Sequence, residues 1–371
     1  MKAEQQYIDL FTQYEDLICR KSVPVLNALR AQAFADFERL GFPSLKGEDY
    51  KYTDVEKAFA PDYGININRL NIPVNPYDVF HCDVPNLSTS LYFVVNDSFY
   101  DKELPKAHLP EGVYAGGLCR FASEYPEIAA RYYGKLAQTS TNGVVALNTM
   151  LAQDGFVVYV PKHTVVERPI QLVNIFRSDV DTMANRRILF IVEENAEARL
   201  LVCDHSIDDV KFFSNQVIEI FAGANARADY YDLEESSVST TRFSNLFVRQ
   251  EAHSSAVVNG VTLTNGLTRN NYFVSLEGEG ADLSLCGMSV LDKEQQLDTY
   301  SLVHHKVPHC TCNELFKNVL NDRAIGAFSG RILVEQGADK TEAYQTNRNL
   351  CATRECRMYS KPQLEIYADD V

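Results

Sequence analysis

Ile218-Glu219-Ile220-Phe221-Ala222-Gly223-Ala224 and, further along, Leu246-Phe247-Val248-Arg249-Gln250-Glu251-Ala252 carry one pattern: two apolar residues two apart, then a small residue four positions later. The pattern extends both ways at the fixed spacing that separates Ile218 from Leu246. Phe190 and Val192 precede it, Val274 with Leu276 and then Leu302 with His304 follow, and the small or turn residues are Ala196, Ala224, Ala252, Gly280 and Pro308. Ile332, Val334 and Ala338 repeat it two positions late. Alternate residues of a strand point to one side, so each pair marks a buried face. A strand-and-turn unit recurring at one period buries that face only by stacking on its neighbours, which predicts a β-solenoid over residues 188–347. An antiparallel sandwich also has short strands, but has no reason to keep one period. Val160 precedes Ile188 by that same period, so the entry to the repeat is expected in register with it.

Bulk properties narrow what such a solenoid does. The 371 residues are 46% hydrophobic, ample for a packed core, and the net charge of −15 repels phosphate backbones and anionic lipid. Nucleic acid and membrane are therefore not expected partners. Residues 1–10 lack the apolar run of a signal peptide, and no stretch has the length of a membrane span, so a cytoplasmic protein is expected. Nine cysteines, an odd number, fit free thiols in a reducing compartment better than a disulfide framework.

Before the repeat, apolar residues at helical spacing (Tyr7, Leu10, Phe11, Tyr14, Leu17, Ile18; then Leu26, Leu29, Ala33, Phe37, Leu40) predict two helices broken at Pro24 and ended by Gly41 and Pro43. Thr53 with Glu56 reads as a capping box for a short helix through Phe59. Leu91 to Val95 reads as a buried strand, residues 122–136 as a helix with Pro126 early in it, and Leu147, Met150 and Leu151 as the start of another. Residues 112–117 are too loose for a phosphate-cradling loop and read as a turn. Residues 154–172 read as a hairpin-like entry to the solenoid. These readings divide the chain into a helical region (1–60), a mixed α/β cap (61–150), the solenoid (151–363) and a closing segment (364–371).

Possible metal ligands are densest at His304, His305, His309, Cys310 and Cys312. Imidazole and thiolate suit zinc or iron–sulfur chemistry, which makes His304, His309, Cys310 and Cys312 the candidate ligands. The spacing is not that of a zinc knuckle. Strand parity puts His304, Cys310 and Cys312 on one face and His305 and His309 on the other, unless Pro308 resets the alternation. The competing reading packs both cysteines as small apolar groups. As spare ligands they would tolerate replacement by serine without loss of folding. Cys351 and Cys356 are loop cysteines with no assigned role.

Three groups of residues carry a family resemblance. Leu40-Gly41-Phe42-Pro43 with Lys46, Glu48, Tyr50 and Lys51-Tyr52-Thr53-Asp54 comes first, with Tyr50 where the family usually has Trp. Asp154-Gly155, Val160-Pro161 and Pro169-Ile170 follow. The last group is Asn313 to Lys317, Phe328 to Ile332, Gln336 to Ala338, Gln345 to Asn347, and Lys361-Pro362-Gln363-Leu364-Glu365-Ile366-Tyr367-Ala368-Asp369-Asp370-Val371. Together they resemble the SufB/SufD family of iron–sulfur cluster assembly scaffolds, the N-terminal group favouring the SufD branch.

The resemblance implies a right-handed parallel β-helix core that pairs with a SufB-like subunit, and a C-terminal helical domain that docks a SufC-like ATPase. That domain would follow Val371, where the given sequence stops, so a truncated form is expected. It implies a non-catalytic scaffold with no stably bound cofactor and a transient Fe–S cluster at the partner interface, with Lys361, Pro362, Glu365, Asp369 and Asp370 placed there. Flavin binding is left open. Two other classes compete: a plain interaction solenoid, homodimeric through its coil edges, and a polysaccharide-active β-helix enzyme. The latter needs clustered carboxylates, whereas one row position reads Glu194, Ala222, Gln250 and Gly278.

Overall fold

A computed structural model describes residues 2–80, 89–105 and 109–371; part of the mixed α/β cap expected over residues 61–150 thus lies outside the described residues. The chain opens with helices α1 (Ala3–Arg20), α2 (Pro24–Asn27), α3 (Arg30–Leu40), α4 (Val55–Phe59) and α5 (Pro76–Val79). Strands β1 (Ser90–Val95), β2 (Ser98–Phe99) and β3 (Tyr114–Gly117) follow, then helices α6 (Leu118–Glu124), α7 (Pro126–Tyr132) and α8 (Gly143–Leu151). The solenoid strands are β4 (Phe156–Val160), β5 (Ile170–Phe176), β6 (Thr182–Val192), β7 (Glu197–Ser206), β8 (Phe212–Ala222), β9 (Arg227–Glu235), β10 (Thr240–Gln250) and β11 (Ser255–Thr264). They continue with β12 (Leu267–Leu276), β13 (Asp282–Leu291), β14 (Gln296–His305), β15 (Thr311–Leu320), β16 (Ile325–Val334), β17 (Glu342–Cys351) and β18 (Arg357–Ile366).

Successive solenoid strands alternate between two nine-stranded sheets. The odd strands from β5 to β17 stack with β1 and β2, and the even strands from β4 to β18 stack with β3. Neighbouring solenoid strands within a sheet are parallel. This is the expected β-solenoid, with two differences at its start. Residues 154–172 are no hairpin, because β4 pairs with β6 in one sheet and β5 with β7 in the other. The first strand of the odd sheet, β1, comes from the cap and lies parallel to β5.

The coils are unequal in length, and this corrects the single fixed period. The register step from Gln250 to Leu276 is shorter than that period, and the step from Val334 to Ile366 is longer. The entry step is long as well, because Val160 pairs with Val192 rather than with Ile188. Even differences leave strand parity alone, so Ile218, Ile220, Leu246, Val248 and Val274 all face inward as expected. The step from Leu276 to His305 is odd. One extra corner residue therefore turns Val303 and His305 inward, and sends Leu302 and His304 to the outer face.

One corner repeats with little change. His163, Asn195, Asn225, His253, Gly280, His309 and Lys340 all take positive φ there. Asn and Gly meet this demand at small cost, and the turn restarts the strand alternation after each corner. From Asn195 on, the residue that follows points into the core and is small: Ala196, Ala226, Ser254, Ala281, Cys310 and Thr341 are all buried.

The interior is apolar at one end of the coils, and at the other end it is ionic in the earlier coils and apolar again in the later ones. Arg186 and Arg242 both reach Asp204, at 3.1 and 3.3 Å, and Arg242 also pairs with Asp232. Thr268 donates to Glu234 at 2.7 Å. Burial pushes the Glu234 carboxyl up to about 7, against the pull of Arg242.

The cap lies on the outer face of the even sheet. Met183, Phe213 and Phe243 pack with Phe11, Phe37 and Phe59, while Leu189, Ile191 and Phe221 pack with Leu118, Phe121 and Ala129 of α6 and α7. Pro126 starts α7 rather than continuing α6, so the helix expected over residues 122–136 is two. Asn142 caps α8, so Leu147, Met150 and Leu151 end that helix instead of starting one. At the start of α8 only glycine fits, because a Cβ on Gly143 would lie 1.8 Å from the Gly41 carbonyl oxygen. The capping box at Thr53 does not form. Asp54 caps α4 by accepting from the Lys57 N–H at 3.0 Å, and buried Thr53 donates to Asp298 Oδ2 at 2.6 Å. A buried carboxylate on β14 needs that donor more than an exposed helix end does.

Candidate functional site

The five His and Cys residues of 304–312 do not converge. His304 Nε2 lies on the outer face, 2.6 Å from Glu335, and His309 occupies an exposed corner, 3.7 Å from Glu279. Cys310 is buried in the small-residue corner column, its thiol donating to the Gly278 carbonyl at 3.4 Å. Cys312 is buried between its ladder partners Leu283 and Ala343. Burial raises both thiols above the usual range. Among the described residues no three His, Cys, Asp or Glu side chains gather as a metal site. Unbroken parity puts His304 with the two cysteines; the odd step into β14 and the reset at the corner put His305 there instead.

Core placement reverses the expectation that serine is harmless at these positions. A hydroxyl is more costly to desolvate than a thiol, so Cys310→Ser and Cys312→Ser will each lower unfolding free energy by about 1–3 kcal/mol, read as a shift in urea midpoint.

His305 and Glu314 share this last part of the interior. Burial lowers His305 to about 4, with His304 adding to the effect. Glu314 Oε2 accepts from Ser301 at 3.2 Å and Gln345 at 2.7 Å, and burial raises its carboxyl to about 7 despite both bonds. The folded chain thus holds the Glu314 proton more tightly than the unfolded chain does. Stability from this group is complete below about 4.5 and is lost as pH rises through about 7. Glu314→Gln keeps the acceptor and removes the titration. It will be about 1–3 kcal/mol more stable than the parent at pH 8 and no more stable at pH 4, measured by urea unfolding at both values.

The last described coil is built from β17 and β18. β17 and β18 are the terminal strands of the two sheets, each paired on one side only among the described residues. Pro362, Leu364 and Ile366 continue the inward columns of Gly330, Ile332 and Val334. Among the described residues no further strand stacks on them, and Leu364 is 57% and Ile366 44% exposed. Pro362 stands on an edge strand, where a missing N–H is tolerated. β18 runs through Ile366, so the coil takes in residues that the sequence-based division sets apart after 363.

The other faces of this coil are held from within the chain. Lys361 Nζ lies 2.8 Å from Glu48 Oε2, and Tyr359 stacks on Tyr52 with ring centroids 4.4 Å apart. Tyr50 is buried under the Arg269 guanidinium and accepts from Asn142 at 2.8 Å. The N-terminal motif therefore straps the outer face of β12 to β18, a contact that sequence spacing could not reveal. Glu365 pairs with Arg331 at 2.8 Å. Asp369 N–H donates to Asp339 Oδ1 at 3.1 Å, and the Asp370 carbonyl accepts from the Lys340 N–H at 2.6 Å. All five expected interface residues thus lie on this coil or directly after it, with Lys361 and Glu365 already engaged on its outer face.

Chemically the region offers backbone donors and acceptors on two parallel edges around an uncovered apolar patch. Residues 112–117 are a turn at Gly112 followed by β3, hydrogen-bonded to β4, and give no cradle for the phosphates of a flavin dinucleotide. No helix among the described residues is long and apolar enough to cross a membrane.

Two family models match successive stretches of the chain. Residues 1–172 match the SufBD protein N-terminal region, and residues 175–371 match the SufBD core domain of the SUF system of FeS cluster assembly. An iron–sulfur cluster assembly SufBD family protein of Synechocystis sp. is 28% identical over 345 residues, covering 90% of this chain and 74% of that protein. The iron–sulfur cluster assembly protein SufD of Bacillus subtilis is 25% identical over 381 residues, covering 100% of this chain and 84% of its own. SufD of Escherichia coli is 28% identical over 208 residues, 55% of this chain and 49% of that protein.

Proposed function

Because this chain belongs to the SufBD family of the SUF system of Fe–S cluster assembly, we propose that it is a non-catalytic scaffold subunit that pairs with a SufB-like chain through its last coil. The last coil carries the reading: β17 and β18, each paired on one side only among the described residues, frame the exposed inward-column residues Leu364 and Ile366. A related solenoid supplies the matching edge and covers that apolar patch, as each coil does for the one before it. The cluster is cargo in this scheme. With His304, His309, Cys310 and Cys312 dispersed, this chain contributes structure and isolated ligands at the joint, and the partner contributes the greater part of the ligand set. A SufC-like ATPase drives the assembly from a segment beyond the solenoid, in the cytoplasm.

Full-length protein co-expressed with a SufB-like subunit and the ATPase tests this. Recovery of both on an affinity tag is the expected result. Recovery of neither overturns the proposal, and recovery of a homodimer alone favours the plain interaction solenoid.

A further inference from the structure

The corner between β17 and β18 differs chemically from the two corners stacked beneath it. Ladder pairing places Leu291, Leu320 and Cys351 in one inward column. Across the same corners, Gln295, Ala324 and Cys356 form the facing column, each lying just before the strand that returns. Below, the corner joins Leu320 to Ala324; in the last coil both positions are cysteine. Cys356 packs on Leu291, Leu320 and Ala324 and is 7% exposed, while Cys351 is exposed at the solenoid end. The Cys356 thiol donates to the Thr353 carbonyl at 3.3 Å, on the corner whose other side begins at Cys351. Two thiols on the inner side of one turn, one open to solvent and one held, have the arrangement of an attacking and a resolving cysteine.

We propose that Cys351 and Cys356 are a redox-active dithiol that closes into an intrachain disulfide by exchange with a glutathione-type disulfide. Cys351 as thiolate attacks one sulfur of the small disulfide and releases the first small thiol. Cys356 then gives up its proton, and its thiolate attacks the Cys351 sulfur and expels the second. Two S–H bonds are replaced by one S–S bond, and the two electrons and two protons leave with the small disulfide as two thiols. Burial raises the Cys356 thiol, but hydrogen bonds at the corner, led by the Thr353 backbone, bring it below its ordinary value; burial and Cys356 itself raise Cys351. The bond would tie the two terminal strands together at one end. Any effect on partner binding rests on the docking reading above; the bond itself does not.

Peptide mapping of the full-length chain after equilibration in graded mixtures of oxidised and reduced glutathione tests the bond without any partner. Samples are acid-quenched, denatured, alkylated and cut at Arg354, which lies between the two cysteines. The expected result is a pair of peptides joined through Cys351 and Cys356, appearing at more reducing mixtures than any other oxidation of the chain. Alkylation of both cysteines throughout, or a glutathione adduct that persists on Cys351 while Cys356 stays alkylatable, overturns the proposal. In Cys356→Ala the adduct on Cys351 is expected to accumulate, since nothing resolves it. Should that variant fail to fold, the map of the unaltered chain decides alone.

Discussion

Glu219→Ala will lower the unfolding free energy by about 3–5 kcal/mol, the range for removing one partner of a buried ion pair. Glu219 and Arg187 are fully buried between the even sheet and the cap, 2.8 Å apart. The carboxylate also accepts from three backbone N–H groups of the segment joining α7 to α8: Gly134 at 2.9 Å, Leu136 at 2.8 Å and Ala137 at 3.1 Å. Arg187 in turn lies over the Tyr133 ring and donates to Thr149 at 3.1 Å. Alanine leaves a buried guanidinium and three amides without their acceptor. Glu219→Gln, which keeps one acceptor oxygen, will cost less. Urea unfolding reads both as lower midpoints. An unfolding transition for Glu219→Ala within about 1 kcal/mol of the parent would show that the cap is held by its apolar contacts alone.

The double substitution Leu364→Asp with Ile366→Asp will do the opposite: it will leave the fold nearly intact and abolish pairing. Both side chains are substantially exposed in the isolated chain, so two carboxylates there remain solvated. Across a docked edge the same carboxylates would be buried in an apolar layer with no cation opposite. Buried central residues of an interface cost about 2 kcal/mol or more each when lost, so affinity for a SufB-like partner should fall at least about 100-fold. Titration calorimetry of parent and variant, with circular dichroism to follow the fold, separates the two effects. Undiminished affinity in a folded variant places the interface elsewhere.

How much of this was legible in the sequence depends on what each stretch had to encode. The strand pairs Ile218/Ile220 and Leu246/Val248 announced the solenoid because every coil repeats the same demand for an apolar inward face. Phase was less legible. Coil length is free to vary at corners, and one additional residue before β14 exchanged His304 for His305 on the inward face. The ionic half of the interior was hidden for a different reason. Arg186, Arg242, Asp204 and Asp232 look like solvent-facing strand ends, and only stacking places their charges together. Thr53 misled because a capping motif is local, whereas its partner Asp298 is 245 residues away. The closing segment was set apart from the solenoid after residue 363, although Pro362, Leu364 and Ile366 hold every second place in β18. Its residues in order carried the family likeness, and the exposed inward column is what the proposed pairing adds to it.

The most direct measurement is hydrogen–deuterium exchange of the full-length chain, free and bound to a SufB-like subunit. The docking account predicts slowed exchange concentrated in β17 and β18, residues 342–366, with the cap helices unchanged. Protection confined to the cap, or no protection in a saturated complex, would contradict it.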